Sequence, residues 1–504
     1  MGADLATGAQ VPSPGFATVI PKPLAQAPER GAFELGAGAR ILVRSTTPEA
    51  LRVARLLAAK LRPATGYRLP VSTVPGDARA GSVELVLDPG DRTLGTEGYR
   101  VVVAPAGVTV SARTGAGLFW GTQTLRQLLP AAIEARARRP GPWRIPLGVI
   151  HDRPRFAWRG LMLDVARHFF GVGEVKRVVD LMVLYKLNRL HLHLTDDQGW
   201  RIAIRSWPRL SSHGSRTAVG GGPGGRYTQR EYAAIVSYAR ERFVEVVPEV
   251  DMPGHVNAAL SSYGRLACDG VAPAPYTGIE VGFSSLCIRK EETYAFVDDV
   301  VRELSRLTPG AYLHVGGDEA HSTDPGDYAY FVDRVQRIAR RHGKRMIAWE
   351  EASRASLHRT SIAQHWQSPE LARRAVAQGA RLIMSPATKA YLDMKYTRRT
   401  PIGLTWAGTT SVRDAYEWDP ATQVDGVSER DVLGVEAPLW SETVETRAHL
   451  DHLVFPRLLG HAEVAWSRAE GRSWTDYRRR LAAQGERLAA LDVGYHRSPE
   501  IRWR

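Results

Sequence analysis

Apolar positions along the chain change period near residue 150. Before that point, PEALRVARLLAAKLRPATG (48–66) carries apolar residues at helical spacing and ends in Gly66. SVELVLD (82–88), YRVVVAP (99–105) and GVTVSAR (107–113) alternate as strands of one sheet. GLFWGTQTLRQLLP (117–130) reads as a second helix stopped by Pro130, and 132–146 as a hairpin or linker. These elements predict a small α+β domain over 21–150. The Gly-, Ala- and Pro-rich segment 1–20 ahead of it is expected to be flexible.

From 151 onward, short apolar strands alternate with longer amphipathic helices. The predicted strands are 160–166, 189–196, 244–251, 311–315, 346–351, 361–366, 381–386 and 432–440. Helices are expected at 174–188, 228–243, 292–307 and 446–467, the second opening with Thr228 and Glu231 at capping-box spacing. Eight β-then-α units imply a parallel sheet closed as a (β/α)8 TIM barrel over 151–504, an α/β fold with long loops.

A chain of 504 residues is too long for one core, so two or more domains are expected. No apolar run approaches the ~20 residues of a membrane helix. The net charge of +14 raises nucleic acid as a partner, but the arginines are dispersed and no nucleic-acid motif accompanies them, so a solvated Arg-rich surface is expected. Two cysteines, Cys268 and Cys287, fall in one loop-like segment. Their number alone fits either one disulfide or two separate buried thiols. A bridge would imply an oxidising compartment, and secretion is the expectation, with the cytoplasm as alternative. The first residues, MGADLATGAQVPSPGF, lack the basic and apolar regions of a signal peptide.

Barrel enzymes place their chemistry at the C-terminal ends of the strands. Those ends carry Asp164 and Arg167, Asp196 and Asp197, Asp251 and His255, Asp318 and Glu319, Trp349 and Glu350, Trp366, and Trp440 and Glu442. Tryptophan faces stack on sugar rings, while acids and Arg bind hydroxyls, so the collection points to carbohydrate. In LHVGGDEA (313–320), two acids follow Gly316 and Gly317. Adjacent carboxylates repel, so one holds its proton to higher pH, as glycosidic cleavage requires of an acid. Acids after Gly-Gly also suit a helix N-terminus, and this segment alone leaves both readings open. His191 and His193 form a His-x-His pair that could bind zinc, but the later strand ends offer mostly acids and tryptophans, so packing and hydrogen-bonding roles are expected for them.

DVARHFF (164–170), LHLHLTDDQGWRI (190–202), PEVDMPGH (248–255), HVGGDEA (314–320), YLDMKY (391–396) and LWSE (439–442), in that order, resemble glycoside hydrolase family 20, the β-N-acetylhexosaminidases. The N-terminal α+β segment is similar to the non-catalytic domain preceding the family's barrel. The resemblance implies a retaining exo-glycosidase whose nucleophile is the substrate's own 2-acetamido group, an exception to the two-carboxylate scheme. It implies Glu319 as general acid and base and Asp318 as the group that orients the acetamide and stabilises the oxazolinium. Asp196 and His255 would support the acid, and Tyr391 would hold the acetamide carbonyl. Arg167, Asp393 and Glu442 would bind hydroxyls, Trp349, Trp366 and Trp440 would form aromatic walls, and Trp406 would stack on the leaving group. A Cys268–Cys287 disulfide is implied too. The expected partner is a terminal β-linked N-acetylglucosaminide or N-acetylgalactosaminide of a chitin-type oligosaccharide or glycoconjugate, with no metal or organic cofactor. The rivals are a metal-dependent barrel hydrolase using His191 and His193, and a catalytically silent carbohydrate-binding protein.

Overall fold

A computed structural model of the chain describes residues 15–73 and 80–504. The chain forms two compact units. The first comprises 1–154, 470–493 and 501–504, the second 155–469 and 494–500.

The first unit is built on a seven-stranded sheet. Its strands are β1 (Ala25–Glu34), β2 (Ile41–Arg44), β3 (Val71–Thr73), β4 (Ser82–Leu87), β5 (Tyr99–Ala104), β6 (Gly107–Ala112) and β7 (Arg144–Asp152), in spatial order β1-β7-β5-β6-β4-β2-β3. Helices Pro48–Thr65 and Gly115–Leu128 pack on it. Of the segment expected to be flexible, 1–14 lies outside the described residues. The remainder is ordered: Phe16, Val19 and Ile20 are buried, and burying apolar side chains outweighs the loss of chain freedom there.

The C-terminal helix Trp474–Ala490 also belongs to this unit, whereas the expected boundary put 151–504 wholly in the barrel. Its buried polar side chains find their partners among the first 154 residues. Arg487 Nη1 pairs with Glu134 at 3.0 Å and its Nη2 donates to the Leu129 carbonyl at 2.8 Å. Gln484 donates to the Thr18 carbonyl at 2.6 Å. An amphipathic helix has one face to bury, and its period does not say against what.

The second unit is a closed, all-parallel barrel. Its strands are β8 (Trp158–Asp164), β9 (Arg189–His193), β12 (Glu245–Glu249), β13 (Tyr312–His314), β14 (Arg345–Trp349), β15 (Ile362–His365), β16 (Arg381–Met384) and β17 (Val432–Leu439), each beside the next, with β17 closing on β8. A short ribbon of β10 (Thr195–Asp196) and β11 (Gly199–Trp200) stands after β9. The expected strands are all present. The helices are less regular. Thr228 and Glu231 form the expected capping box on Gln229–Glu241. The helix expected over 446–467 is two, Arg447–Val454 and Arg457–Trp466, because Pro456 has no N–H to continue the first. After β14 the crossover is only the 3-10 turn Glu350–Arg354.

The barrel interior is charged. On β9, His191 Nδ1 donates to Glu436 at 2.7 Å and its Nε2 lies 3.0 Å from Glu249, while His193 Nδ1 donates to Glu249 at 2.5 Å. Glu436 also accepts from Gln364 and Trp158. It has room because residue 160 is glycine: a Cβ there would stand 2.4 Å from the carboxylate. Burying these charges is tolerable because each faces an opposite one.

Candidate active site

Four strand ends on one side of the barrel build an ion-paired platform. At the end of β8, Asp164 Oδ1 accepts the Ala166 and Arg167 N–H groups at 2.7 and 3.1 Å, and Oδ2 accepts the Ser441 N–H from beyond β17. That turn aims Arg167 at Asp196, with Nη2 2.8 Å from Oδ2. Asp196 Oδ2 also accepts from His193 Nε2 at 2.8 Å, and Oδ1 from His255 Nδ1 at 3.1 Å. Burial alone would raise the Asp196 carboxyl, but Arg167, His255 and His193 hold it far below the usual carboxylate range. Burial opposes charge on His255, yet Asp196, then Asp318, raise it well above the usual imidazole range.

The far ring nitrogen of His255 faces the two acids after β13. Its Nε2 lies 3.4 Å from Glu319 Oε2 and 3.7 Å from Asp318 Oδ2. The chain reaches this point through a turn that only glycine allows. Gly316 has φ +67°, and a Cβ on it would stand 1.7 Å from Asp251 Oδ1. That oxygen accepts the Gly317 N–H at 3.0 Å, and Tyr328 Oη donates to the Gly317 carbonyl at 2.6 Å. Glu319 itself has φ +46° and His255 φ +56°. Such backbone costs on the order of 1–3 kcal/mol per residue and persists where surrounding bonds impose it, often at reacting centres. Burial, with Asp318 beside it, keeps Asp251 protonated well above the usual range. Burial pushes the Asp318 carboxyl up to about 6, with His255 opposing and Glu319 adding to the rise. Asp318 Oδ1 is buried without a hydrogen-bond partner among the described residues.

The acids open into a cavity of about 560 Å³. Of the residues expected at the site, Arg167, Asp318, Glu319, Trp366, Tyr391, Asp393, Trp406, Trp440 and Glu442 line it. Asp196 and His255 stand behind them. Trp349 is also set back: it is buried, 5.8 Å from the Trp440 ring between centroids, and donates Nε1–H to Glu249 at 3.0 Å. Tyr391 and Trp366 lie parallel at 6.3 Å, and Trp406, 53% exposed, meets both edge-on. The Arg167 guanidinium sits 4.8 Å over the Trp440 ring. Among the described residues, both Asp393 carboxylate oxygens and Glu442 Oε2 are buried with no side-chain hydrogen-bond partner, and burial raises both carboxyls above their ordinary values.

Sequence reasoning missed Glu351. Its neighbour Glu350, which was expected at the strand end, turns away to accept from His365 Nδ1 at 2.5 Å and from the Gln367 N–H at 3.0 Å. Glu351 lines the cavity instead and accepts from Trp366 Nε1 at 3.1 and 3.2 Å. Burial, then Asp318 and Glu350, push its carboxyl up to about 8. No pattern at 350–351 distinguishes the two acids. Arg354, Ile279, Val281 and His321 also line the cavity and were not anticipated. Cys268 and Cys287 form a disulfide, which closes a loop carrying Ile279 and Val281. His191 and His193 spend their ring nitrogens on Glu249, Glu436 and Asp196, as their expected hydrogen-bonding role requires.

Both units match known proteins. The family model described as "Glycosyl hydrolase family 20, catalytic domain" matches 156–326 and 325–469, and "Glycosyl hydrolase family 20, domain 2" matches 17–153. A Cellulomonas fimi β-N-acetylhexosaminidase is 41% identical over 96% of this chain and 97% of its own. The solved β-N-acetylhexosaminidase of Streptomyces coelicolor A3(2) superposes with TM-score 0.94 at 51% identity, covering 98% of this chain and all of that one. A mutant Streptomyces plicatus β-hexosaminidase, solved with its product GlcNAc, gives TM-score 0.93 at 51% identity over 97% and 98% of the two chains. Matched over both units, the chain belongs to glycosyl hydrolase family 20 and is a glycoside hydrolase of the β-N-acetylhexosaminidase kind.

Proposed function

We propose that the protein is a retaining exo-β-N-acetylhexosaminidase that removes terminal β-linked N-acetylglucosamine or N-acetylgalactosamine by substrate-assisted catalysis. The observation that carries this reading is the pairing of Asp318 and Glu319 on one wall of the cavity, with Asp318 Oδ1 buried and making no hydrogen bond among the described residues. Two adjacent side chains do not straddle a sugar at the ~5 Å separation of a separate acid and nucleophile. The nucleophile therefore comes with the substrate.

In this mechanism Glu319 protonates the leaving oxygen while the acetamide carbonyl attacks the anomeric carbon. Asp318 accepts the acetamide N–H and, ionised, stabilises the positive oxazolinium. Tyr391 donates to the acetamide oxygen. Trp366 and Tyr391, with Trp349 behind Trp440, enclose the methyl group, and Trp440 underlies the ring. Arg167, Asp393 and Glu442 take the hydroxyls, which supply the partners their buried polar atoms lack. Glu319 then removes a proton from the water that opens the oxazolinium. Asp196 and His255 position Glu319. The GlcNAc bound by the Streptomyces plicatus relative supports the substrate class, and the Cys268–Cys287 bridge supports operation outside the cytoplasm.

The test compares 4-nitrophenyl β-N-acetylglucosaminide, its galacto epimer and 4-nitrophenyl β-glucoside, with a thiazoline mimic of the cyclised intermediate as inhibitor. Cleavage of the acetamido sugars alone and tight inhibition are expected. Equal cleavage of the glucoside, with no inhibition, would remove the acetamide from the mechanism.

A further inference from the structure

We propose that Arg354, together with Ile279 and Val281, forms a subsite for a leaving-group sugar that carries an anionic substituent, a carboxylate or a sulfate. The inference rests on the glycosidase reading above, in which Glu319 protonates the leaving oxygen and the departing sugar lies on the Glu319 side of the cavity.

That side is built from two segments bonded to each other. The chain following Glu319 meets the disulfide-closed loop where the Ser322 N–H donates to the Gly282 carbonyl at 3.1 Å and the Ser285 and Thr323 hydroxyls stand 2.7 Å apart. The loop presents Ile279 and Val281 to the cavity, 49% and 37% exposed. They offer an apolar surface suited to a sugar's C–H face.

Arg354 enters the same cavity from the turn Glu350–Arg354. Its charge reaches the buried Tyr328 hydroxyl, which donates to the Gly317 carbonyl. The other cavity arginine, Arg167, is matched by Asp164 and Asp196. Arg354 is not matched: among the described residues its guanidinium makes no hydrogen bond or ion pair, and only its carbonyl is engaged, by Arg374. Glu351, the neighbouring acid on the same turn, keeps its proton up to about pH 8 and leaves the cation uncancelled at neutral pH. Most arginines of this basic chain are solvated surface charges. Arg354 is exposed as they are, but it lines the reaction cavity, and a planar guanidinium binds carboxylate and sulfate oxygens well.

The experiment uses two matched pairs of disaccharides: N-acetylglucosamine β-1,4-linked to glucuronic acid or to glucose, and β-1,3-linked to 6-O-sulfated galactose or to galactose. The readout is the ratio of kcat/KM, anionic over neutral, within each pair, and the two pairs separate carboxylate from sulfate. At least one ratio is expected to exceed unity by about tenfold, as a charge-assisted hydrogen bond would give. It should fall toward unity in Arg354→Gln, largely survive in Arg354→Lys, and shrink with added salt. An unchanged ratio in Arg354→Gln, or wild-type ratios at or below unity in both pairs, overturns the subsite while the neutral members are still cleaved. Failure to cleave any of the four overturns the glycosidase reading, and the subsite with it.

Discussion

His255 Nε2 stands 3.4 Å from Glu319 Oε2, at the end of a paired series running from Glu249 through His193 and Asp196. The imidazolium also faces Asp318 and opposes the burial that raises that carboxyl. His255→Gln should therefore move the acid limb of kcat/KM above its wild-type position near 6 and lower the plateau by a factor on the order of 10². A pH–rate profile checks both, and an unmoved limb would separate His255 from the acids.

Asp318 should set that limb. Its carboxyl is raised to about 6, so the proton remains bound below that pH and the neutral form stabilises no cation. Activity is thus present above pH 6 and falls as pH drops through it. Asp318→Asn should lose the limb and reduce kcat by roughly 10²–10³. Retention of wild-type kinetics would argue against substrate assistance.

Glu319→Gln should be selective by leaving group. Chitobiose needs a proton on its departing oxygen, so its turnover should fall by about 10³ or more, while an aryl glycoside with an acidic phenol should lose less in the first step. Parallel losses on both substrates would point to a disturbed fold rather than a missing acid.

Glu249 lies within hydrogen-bonding distance of His191 and His193 and accepts from Trp349. Removing one partner from such a buried set costs on the order of 3–5 kcal/mol. Glu249→Gln should lower Tm accordingly. Burial opposes charge on His191, but Glu249 and Glu436 raise it to about 9, above an unfolded value of 6.5. Its contribution is therefore full below pH 6.5 and lost as pH rises through 9. Wild-type Tm should decline over that window, and the variant's should decline less.

Chelation should leave the rate unchanged, since His191 and His193 face carboxylates and are held protonated. Loss of activity restored by zinc would revive the metal-hydrolase rival.

The barrel was legible because strands buried on both faces are continuous apolar runs, and their ends carry the acids and tryptophans. Strand β1 was not. It is an edge strand with only Phe33 buried, and Pro28, Gly31 and its charges conceal it. Trp349 was placed correctly at the end of β14, but its Nε1–H bond to Glu249 and its setting behind Trp440 depend on β12 and β17. Glu350 and Glu351 show the same limit: adjacent acids on one turn take opposite directions, and only the neighbouring strand decides which faces the cavity.

The membership of Trp474–Ala490 in the first unit has a consequence for biogenesis. During synthesis the chain for the barrel, apart from residues 494–500, leaves the ribosome before the first unit acquires its last helix. The N-terminal unit, made first, is completed last. A nascent chain halted near residue 470 would hold nearly all of its barrel while Glu134 still lacked Arg487.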